Sequence, residues 1–270
     1  MAGWHASQTM KTNLRSGLRH FAAGLLLAGL ALTPISAHAQ KKLLVVTVTK
    51  GFRHSSIATA EKVLGQLAEK SGAFKVDFAR TDEDIASKMT AEALKGYDGF
   101  IFANTTGDLP LPDKDAFIAA INSGKGFVGM HSCSDTFHGF RQFIEMLGGE
   151  FQTHGAQVGV ECLVQDAKHP AVRHLGEAYC VQQEEIYLLK SYDTKRVHEL
   201  LVRDKHPNQK KTAGSFPISW CRKQGQGNVF YTSLGHNESV WENAAYQQHI
   251  LGGIKWALGL EPGDATPQAK

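Results

Sequence analysis

The sequence predicts an α/β domain with a doubly wound, mainly parallel sheet, helices on both faces and antiparallel strands added in the second half. The first observation is the continuous apolar run of residues 42–48, KLLVVTV, typical of a parallel strand buried on both faces. The second is the alternation of strand-like and helix-like segments up to about residue 149. The third is a group of later strand-like segments without intervening helices.

In the first half, each predicted strand is followed by a predicted helix. The strands are expected at residues 42–48, 74–80, 97–104 and 126–130, and the helices at 57–70, 91–94, 115–122 and 140–147. Ser56 is placed to cap the first helix through its side chain. Pro112 and Asp113 open the third helix, and Gly148 ends the fourth.

The second half holds the predicted antiparallel additions and a closing helix. The strand-like segments are residues 158–164, 184–189, 198–204, 216–223 and 228–234, with a hairpin turn near residue 225. The last helix is expected at 243–258, followed by a flexible tail at 261–270. We see no internal repeat or linker, so residues 40–260 are predicted to form a single domain.

The N-terminal segment has the pattern of a secretory signal peptide. Basic residues (Lys11, Arg15 and Arg19) precede an apolar stretch at 21–32 and the small-residue sequence AHA at 37–39. Cleavage is therefore expected near Ala39, which predicts a periplasmic or secreted protein. An uncleaved membrane anchor is the alternative, but it would need an apolar span of about 20 residues.

Charge and cysteine content exclude several classes of function. Without residues 1–39, which carry three basic and no acidic residues, 26 Lys and Arg balance 26 Asp and Glu. This predicts no nucleic-acid partner and, after signal cleavage, no membrane partner. The four cysteines fit no zinc-ribbon spacing. An exported protein permits a Cys162–Cys180 disulfide, and buried free cysteines are the alternative.

Polar residues cluster after the predicted parallel strands, at the edge where open α/β sheets bind ligands. Histidines follow three of these strands, and His154 would add a fourth. Imidazoles with a carboxylate such as Glu184 or Glu185 can act as general acid and base or hold a divalent metal. The sequence has no HExxH motif that would favour metal binding over acid/base catalysis. Any single histidine in a loop can also be a solvated residue without a function in the site.

The segment GMHSC at residues 129–133 resembles a nucleophile elbow, which has a small-x-nucleophile-x-small pattern. His131 occupies the central position and Cys133 the trailing small position. This register predicts proton transfer or metal binding at His131 and a packing role for Cys133.

Several aromatic side chains are candidates for stacking on a sugar ring or for ordinary core packing. They are Phe137, Tyr187, Trp220 and Trp241.

Motifs spread along the chain resemble the ThuA-like (trehalose-utilisation) family. They include VTKGFRHSSI, GKGFVGMHSCSDTF, LGGEFQTH, EEIYLL, YTSLGHNESVW and HILGGIKWALG, in that order between residues 42 and 259. The resemblance implies a flavodoxin-like fold related to class I glutamine amidotransferases. It also implies a link to sugar metabolism, notably of 3-keto-glycosides.

The family's recurring polar positions correspond to a set of residues in this chain. They are Arg53, His54, His131, Ser132, Asp135, His154, Glu185 and His236. Amidotransferase relatives need a cysteine at the elbow centre, where this chain has His131, so no glutaminase activity is expected. The family commonly has alanine at the position of Cys133, in agreement with a packing role.

The leading hypothesis is an exported enzyme that acts on a sugar or keto-sugar derivative by histidine acid/base chemistry. Its predicted catalytic residues are His54, His131, Asp135 and His236, with Asp135 supporting His131. Its predicted substrate-binding residues are Arg53, Asn104, Ser132, His154, Glu185 and Trp241. The sequence identifies no definite cofactor, and a divalent metal held by His54, His131, His154 and His236 is a variant of this mechanism.

Two other hypotheses remain open on the sequence. One is a non-catalytic carbohydrate-binding protein that uses the same side chains. The other is hydrolytic, amidotransferase-like chemistry through Cys133. A small-molecule carbohydrate is the expected ligand in the first two cases, and the sequence is compatible with a homo-oligomer.

Overall fold

The structure, a computed structural model, describes residues 40–209 and 212–268. The predicted signal peptide at 1–39 lies outside the described residues. Within the described part of the chain, no helix is both long enough and apolar enough to cross a bilayer.

A nine-stranded mixed sheet forms the centre of the described region, in the order β2-β1-β3-β4-β11-β10-β9-β6-β7. The strands, including β5 and β8 of a separate two-stranded sheet, are β1 (Lys41–Val46), β2 (Phe74–Ala79), β3 (Gly99–Ala103), β4 (Gly126–Met130), β5 (Glu150–His154), β6 (Val158–Val164), β7 (Ala178–Glu184), β8 (Tyr187–Lys190), β9 (His198–Lys205), β10 (Ala213–Gln224) and β11 (Gly227–Thr232). The five strands from β2 to β11 pair in parallel, and the other four are antiparallel. The parallel part has the strand order of flavodoxin-like folds, so the predicted fold class is confirmed.

Helices cover both faces of this sheet. They are α1 (Ile57–Ser71), α2 (Asp82–Lys88), α3 (Ala91–Leu94), α4 (Lys114–Asn122), α5 (Arg141–Leu147), α6 (Glu238–Glu242) and α7 (Ala244–Ala257). Alternate residues of β1 contribute to two separate apolar cores. Leu43 and Val45 pack with α1 and α7, whereas Leu44 and Val46 pack on the side of α4 and α5.

Two local predictions are wrong. Ser56 does not cap α1 through its side chain, and its hydroxyl donates instead to the carbonyl of Gly235 at 3.2 Å. The predicted strand 184–189 is two elements, because β7 ends at Glu184 and β8 begins at Tyr187. The predicted closing helix is confirmed: α7 spans Ala244–Ala257, with Leu258 as its C-cap and Asn243 as its N-cap, whose side chain accepts hydrogen bonds from two backbone N–H groups.

The proposed Cys162–Cys180 disulfide does not form. Cys180 pairs with Glu161 in the β6–β7 ladder, so the Cys162 side chain points to the opposite face of the sheet. Cys162 is buried, Cys180 is exposed, and both are free.

The segment predicted as a flexible tail makes several contacts with the domain. Glu261 accepts a hydrogen bond from Arg173 at 2.7 Å and forms an ion pair with Lys255 at 3.1 Å. The carbonyl of Thr266 accepts a hydrogen bond from His198 Nδ1 at 2.7 Å. These contacts connect residues 261–268 to β9 and α7.

Helix α7 packs so closely on the sheet that one of its glycines leaves no room for a methyl group. A Cβ atom at Gly253 would lie 2.4 Å from the ring of Phe230, whereas a Cβ at Gly65 in α1 would meet no atom within 4 Å. We expect Gly253→Ala to destabilise the protein by roughly 1–3 kcal/mol through overpacking. Gly65→Ala, the matched control, should stabilise it by about 0.5–1 kcal/mol through helix propensity. Urea unfolding of both variants measures the difference, and equal effects would contradict this account of the α7 contact.

Candidate functional site

His131 stands at a sharp turn between β4 and a short 3₁₀ helix, His131–Asp135. Its φ angle is +48°, in the left-handed region that costs a non-glycine residue roughly 1–2 kcal/mol. Such strain often accompanies a functional side chain held in place by its surroundings. The strained residue is His131 and not Cys133, in agreement with the predicted elbow register.

The ring of His131 is fully buried and has a fixed orientation. Its Nδ1–H donates to the carbonyl of Ser233 at 2.7 Å, so Nε2 carries the lone pair of the neutral ring. Three other groups surround that Nε2 atom: Tyr187 Oη at 2.9 Å, His54 Nε2 at 3.1 Å and His236 Nδ1 at 3.3 Å.

Glu185 completes the arrangement from the turn between β7 and β8. Its Oε2 atom lies 3.2 Å from His236 Nδ1 and 3.8 Å from His131 Nε2. One donor atom from each of His54, His131, Glu185 and His236 lies within 4.8 Å of the others. We call these four residues the imidazole–carboxylate cluster.

Sheet topology explains why three of these residues meet. His54 follows β1, His131 follows β4, and His236 follows β11, and these strands run in parallel. The carboxyl ends of parallel strands lie at the same edge of a sheet, which is where such folds place their ligand sites.

Glu184, although fully buried, holds the loop of residues 233–237, here called the His236 loop. Its carboxylate accepts hydrogen bonds from the backbone N–H groups of Gly235 at 2.8 Å and His236 at 3.2 Å. A third comes from the Glu185 N–H at 2.8 Å. Burial raises the pKa of Glu184 to about 7, although these N–H groups oppose the shift.

The histidines of the cluster have different charge states because their surroundings differ. Burial, assisted by neighbouring His236, lowers the pKa of His54 to about 4, and burial with His54 nearby lowers that of His131 well below its usual value. The hydrogen bond to Glu185 raises the pKa of His236 in spite of burial. Burial tends to raise the pKa of Glu185, but the hydrogen bond with His236 outweighs it and the pKa is lowered. Burial therefore favours the uncharged forms of His54 and His131, whereas the hydrogen bond with Glu185 favours the charged form of His236.

A pocket of about 210 Å³ opens onto the cluster. Phe52, Phe151 and Tyr187 supply its aromatic walls. Its polar lining residues are His54, Asp135, His154, Glu185 and His236. Phe52 is 66% exposed at the rim, an unusual position for a large aromatic side chain.

Comparison with known families identifies the chain. The sequence pattern of the family described as "ThuA: Trehalose utilisation" matches residues 42–257. The chain belongs to the ThuA family. Among curated proteins, none matches the sequence.

Solved structures of ThuA-like proteins share the fold. One from Parabacteroides merdae has a TM-score of 0.67 at 20% sequence identity, with 82% of this chain and 90% of that chain covered. Another, from Bacteroides uniformis, has a TM-score of 0.67 at 22% identity, with 82% and 93% covered. At these identities the likeness shows the fold alone.

A larger enzyme contains a region of similar fold. A β-galactosidase from Bacillus circulans sp. alkalophilus has a TM-score of 0.53 at 13% identity. The match covers 84% of this chain but only 32% of the β-galactosidase, and it too shows only the fold.

Of the positions that match ThuA motifs, Ser132 and His154 lie around the cluster. Ser132 Oγ is 3.4 Å from His54 Nδ1, and His154 Nδ1 is 2.9 Å from Glu185 Oε1. The four converging donors therefore differ from the metal set expected from the sequence, because Glu185 takes the place of His154.

Asn104 and Trp241 do not line the pocket. Both are fully buried, and both donate to the carbonyl of Gly235, Asn104 Nδ2 at 3.0 Å and Trp241 Nε1 at 2.8 Å. The structure therefore replaces the predicted substrate contact by a structural one: these side chains anchor the His236 loop.

Arg53 lies outside the pocket lining, and Asp135 supports a different histidine from the one predicted. The Arg53 guanidinium is directed to the carbonyl of Thr47 at 3.2 Å and does not line the pocket. Asp135 lines the pocket but binds His138 Nε2 at 2.6 Å. The hydrogen bond that supports His131 comes from Ser233 instead.

Cys133 has the environment of a packing residue. Its side chain is fully buried, burial raises the pKa of its thiol, and its Sγ would lie 2.9 Å from a Cβ at Gly129. We expect Cys133→Ala to retain full turnover and to cost about 1 kcal/mol of stability through the small cavity it leaves. Steady-state kinetics and urea unfolding test this. A variant that folds but is inactive would support the hypothesis of hydrolytic chemistry through Cys133.

Proposed function

We propose that this ThuA-family protein is an enzyme that acts on a sugar or keto-sugar derivative at the imidazole–carboxylate cluster. The observation that carries the proposal is the convergence of three histidines and Glu185 at the floor of a pocket. The family description, trehalose utilisation, supports a carbohydrate as the substrate class.

The pocket is suited to one small polar ring. Its volume of about 210 Å³ is below the range of about 300–1,000 Å³ that drug-sized ligands occupy. A lining of both aromatic and polar side chains matches a sugar ring, which has apolar C–H faces and hydroxyls at its edge. A single sugar unit is therefore a better fit than an extended oligosaccharide.

The arrangement supports proton abstraction or elimination beside a carbonyl group. This chemistry needs a proton acceptor near the carbon and a positive or proton-donating group at the oxygen. A ring nitrogen of His54, which lines the pocket in front of His131, can accept the proton, and His236 can stabilise the developing charge on the oxygen. The distances of 3.1 and 3.3 Å within the cluster bring both groups to one small substrate.

The experiment is a turnover assay on a panel of glycosides and 3-keto-glycosides, run in parallel with calorimetric binding. The proposal expects product with at least one keto-sugar and loss of that product in His236→Ala. Binding without any product would replace the enzyme proposal by the carbohydrate-binding alternative. We also propose that the enzyme acts outside the cytoplasm, which N-terminal sequencing of the protein from cell fractions tests through the expected start near Gln40.

A further inference from the structure

The number of groups around one atom, His131 Nε2, is greater than hydrogen bonding explains. In the neutral ring this atom has a single lone pair, because the proton on Nδ1 is committed to Ser233. The Tyr187 hydroxyl at 2.9 Å can donate to that lone pair. The lone pair is then occupied. His54 Nε2 at 3.1 Å, His236 Nδ1 at 3.3 Å and Glu185 Oε2 at 3.8 Å therefore make no hydrogen bond with Nε2 that would explain their positions.

Three of the six separations between these donors match those around a bound metal ion. Metal–nitrogen bonds of about 2.0–2.1 Å in a tetrahedral site place the ligand atoms about 3.3 Å apart. The three shorter observed separations, which join His54 to His131, His131 to His236 and His236 to Glu185, are 3.1, 3.3 and 3.2 Å.

We propose that His54 Nε2, His131 Nε2, His236 Nδ1 and Glu185 Oε2 bind one divalent transition-metal ion. Three imidazole nitrogens and one carboxylate oxygen suit zinc and its first-row neighbours. Mg²⁺ and Ca²⁺ are disfavoured, because both prefer oxygen ligands.

The groups behind the four donors support the same assignment. Metal-binding histidines usually donate their other ring N–H to a carbonyl or carboxylate, as His131 does to Ser233. The second oxygen of Glu185 is held by His154 at 2.9 Å, and Ser132 lies 3.4 Å from the outer nitrogen of His54. Glu184 fixes the backbone of both Glu185 and His236, so the geometry of two ligands depends on one buried carboxylate.

The position of the ion relative to the pocket indicates its use. His54, Glu185 and His236 line the pocket, whereas His131 lies behind them. An ion between them can take a water molecule or a substrate oxygen on its pocket side. For the reaction, this inference rests on the proposed function: a hydroxide held on the pocket side of the ion would accept the proton from the carbon beside the sugar carbonyl, because the ring nitrogens of His54 and His131 would then bind the ion.

The test uses the untagged chain, because a polyhistidine tag binds metal itself. Elemental analysis should find one transition-metal ion per chain. After chelation, titration with Co²⁺ should produce the visible absorption bands of a four- or five-coordinate site, and it should raise the unfolding temperature. Glu185→Gln should weaken Co²⁺ binding by more than about 100-fold, and His154→Ala, which removes an outer contact, by about 10-fold.

His198→Asn is the matched control, because His198 belongs to a separate histidine pair with His169. Its Co²⁺ affinity should equal that of the unmodified chain. Sub-stoichiometric metal, a Co²⁺ spectrum without such bands, or equal losses in Glu185→Gln and His198→Asn would overturn the inference.

The same measurements separate this inference from the proposed function. A chelated chain that turns over a keto-sugar at full rate rejects the metal and leaves the enzyme proposal standing. A chain that binds one ion but acts on no sugar rejects the enzyme proposal and leaves the metal site standing.

Discussion

Replacing His131 by alanine is expected to lower kcat/KM on the proposed substrate by about 10³-fold, within the range for loss of a proton-transfer group. The imidazole contacts every other member of the cluster, so its removal eliminates either the group that supports the proton acceptor His54 or a metal ligand. Steady-state kinetics on the keto-sugar identified by the panel is the measurement. Tyr187→Phe is the milder companion, with a loss of about 10-fold, because it removes one hydrogen bond and keeps the ring.

A second variant at the same position separates activity from folding. Glycine tolerates the φ angle of +48° that alanine does not, so His131→Gly should be more stable than His131→Ala by roughly 1 kcal/mol. Both variants should be equally inactive. An active His131→Gly variant would show that the imidazole is dispensable and that only the shape of the turn matters.

Replacing Glu184 by alanine is expected to lower turnover by about 10²-fold, although this side chain does not line the pocket. Three buried N–H groups, of Gly235, His236 and Glu185, would lose their acceptor, at about 1–3 kcal/mol for each group that water cannot reach. The His236 loop would then no longer hold His236 at its present distance from His131.

Glu184→Gln should restore part of this activity, because its amide keeps one oxygen acceptor. The matched control is Glu161→Ala on the adjacent strand β6, an exposed residue whose removal should change stability by less than about 0.5 kcal/mol. Kinetics and urea unfolding of the three variants make the comparison. If Glu184→Ala loses stability but keeps the kinetics of the unmodified chain, Glu184 supports the fold without positioning His236.

The parallel half of the fold could be predicted because its signals are local. Buried strands such as β1 and β4 are continuous apolar runs, and α1 shows a clear helical spacing of apolar residues. Strand β7 was not predicted, because its exposed residues are polar and few of its residues are buried and apolar. The segment AYCVQQE therefore lacks the apolar pattern of a buried strand.

The site was predictable to the extent that strand ends define it. His54, His131 and His236 each follow a parallel strand, and the rule for ligand sites in open sheets brings them together. Asn104 follows β3 by the same rule, but its side chain turns to Gly235, because the His236 loop supplies a buried carbonyl that needs donors. Only the three-dimensional packing of that loop could reveal this.

Glu184 and Ser233 show a different limit of sequence reasoning. Glu184 and Glu185 are adjacent and chemically identical, yet one faces the His236 loop backbone and the other faces the histidines. Their opposite directions follow from strand alternation at the end of β7, and the end of that strand could not be located from the sequence. Ser233 acts through its backbone carbonyl, which carries no side-chain signal.

The place of β11 beside β4 has a consequence for the order of folding. The hydrogen bond between His131 and Ser233 joins residues 102 positions apart, so closing this contact carries a large entropic cost. A folding chain can assemble β1 to β4 and bring His54 near His131 before β11 joins the sheet. His236 arrives only when β11 inserts between β4 and β10, so we expect the site to be completed late in folding. Enzymatic activity would then report that the whole sheet has closed, and no partly folded form should possess it.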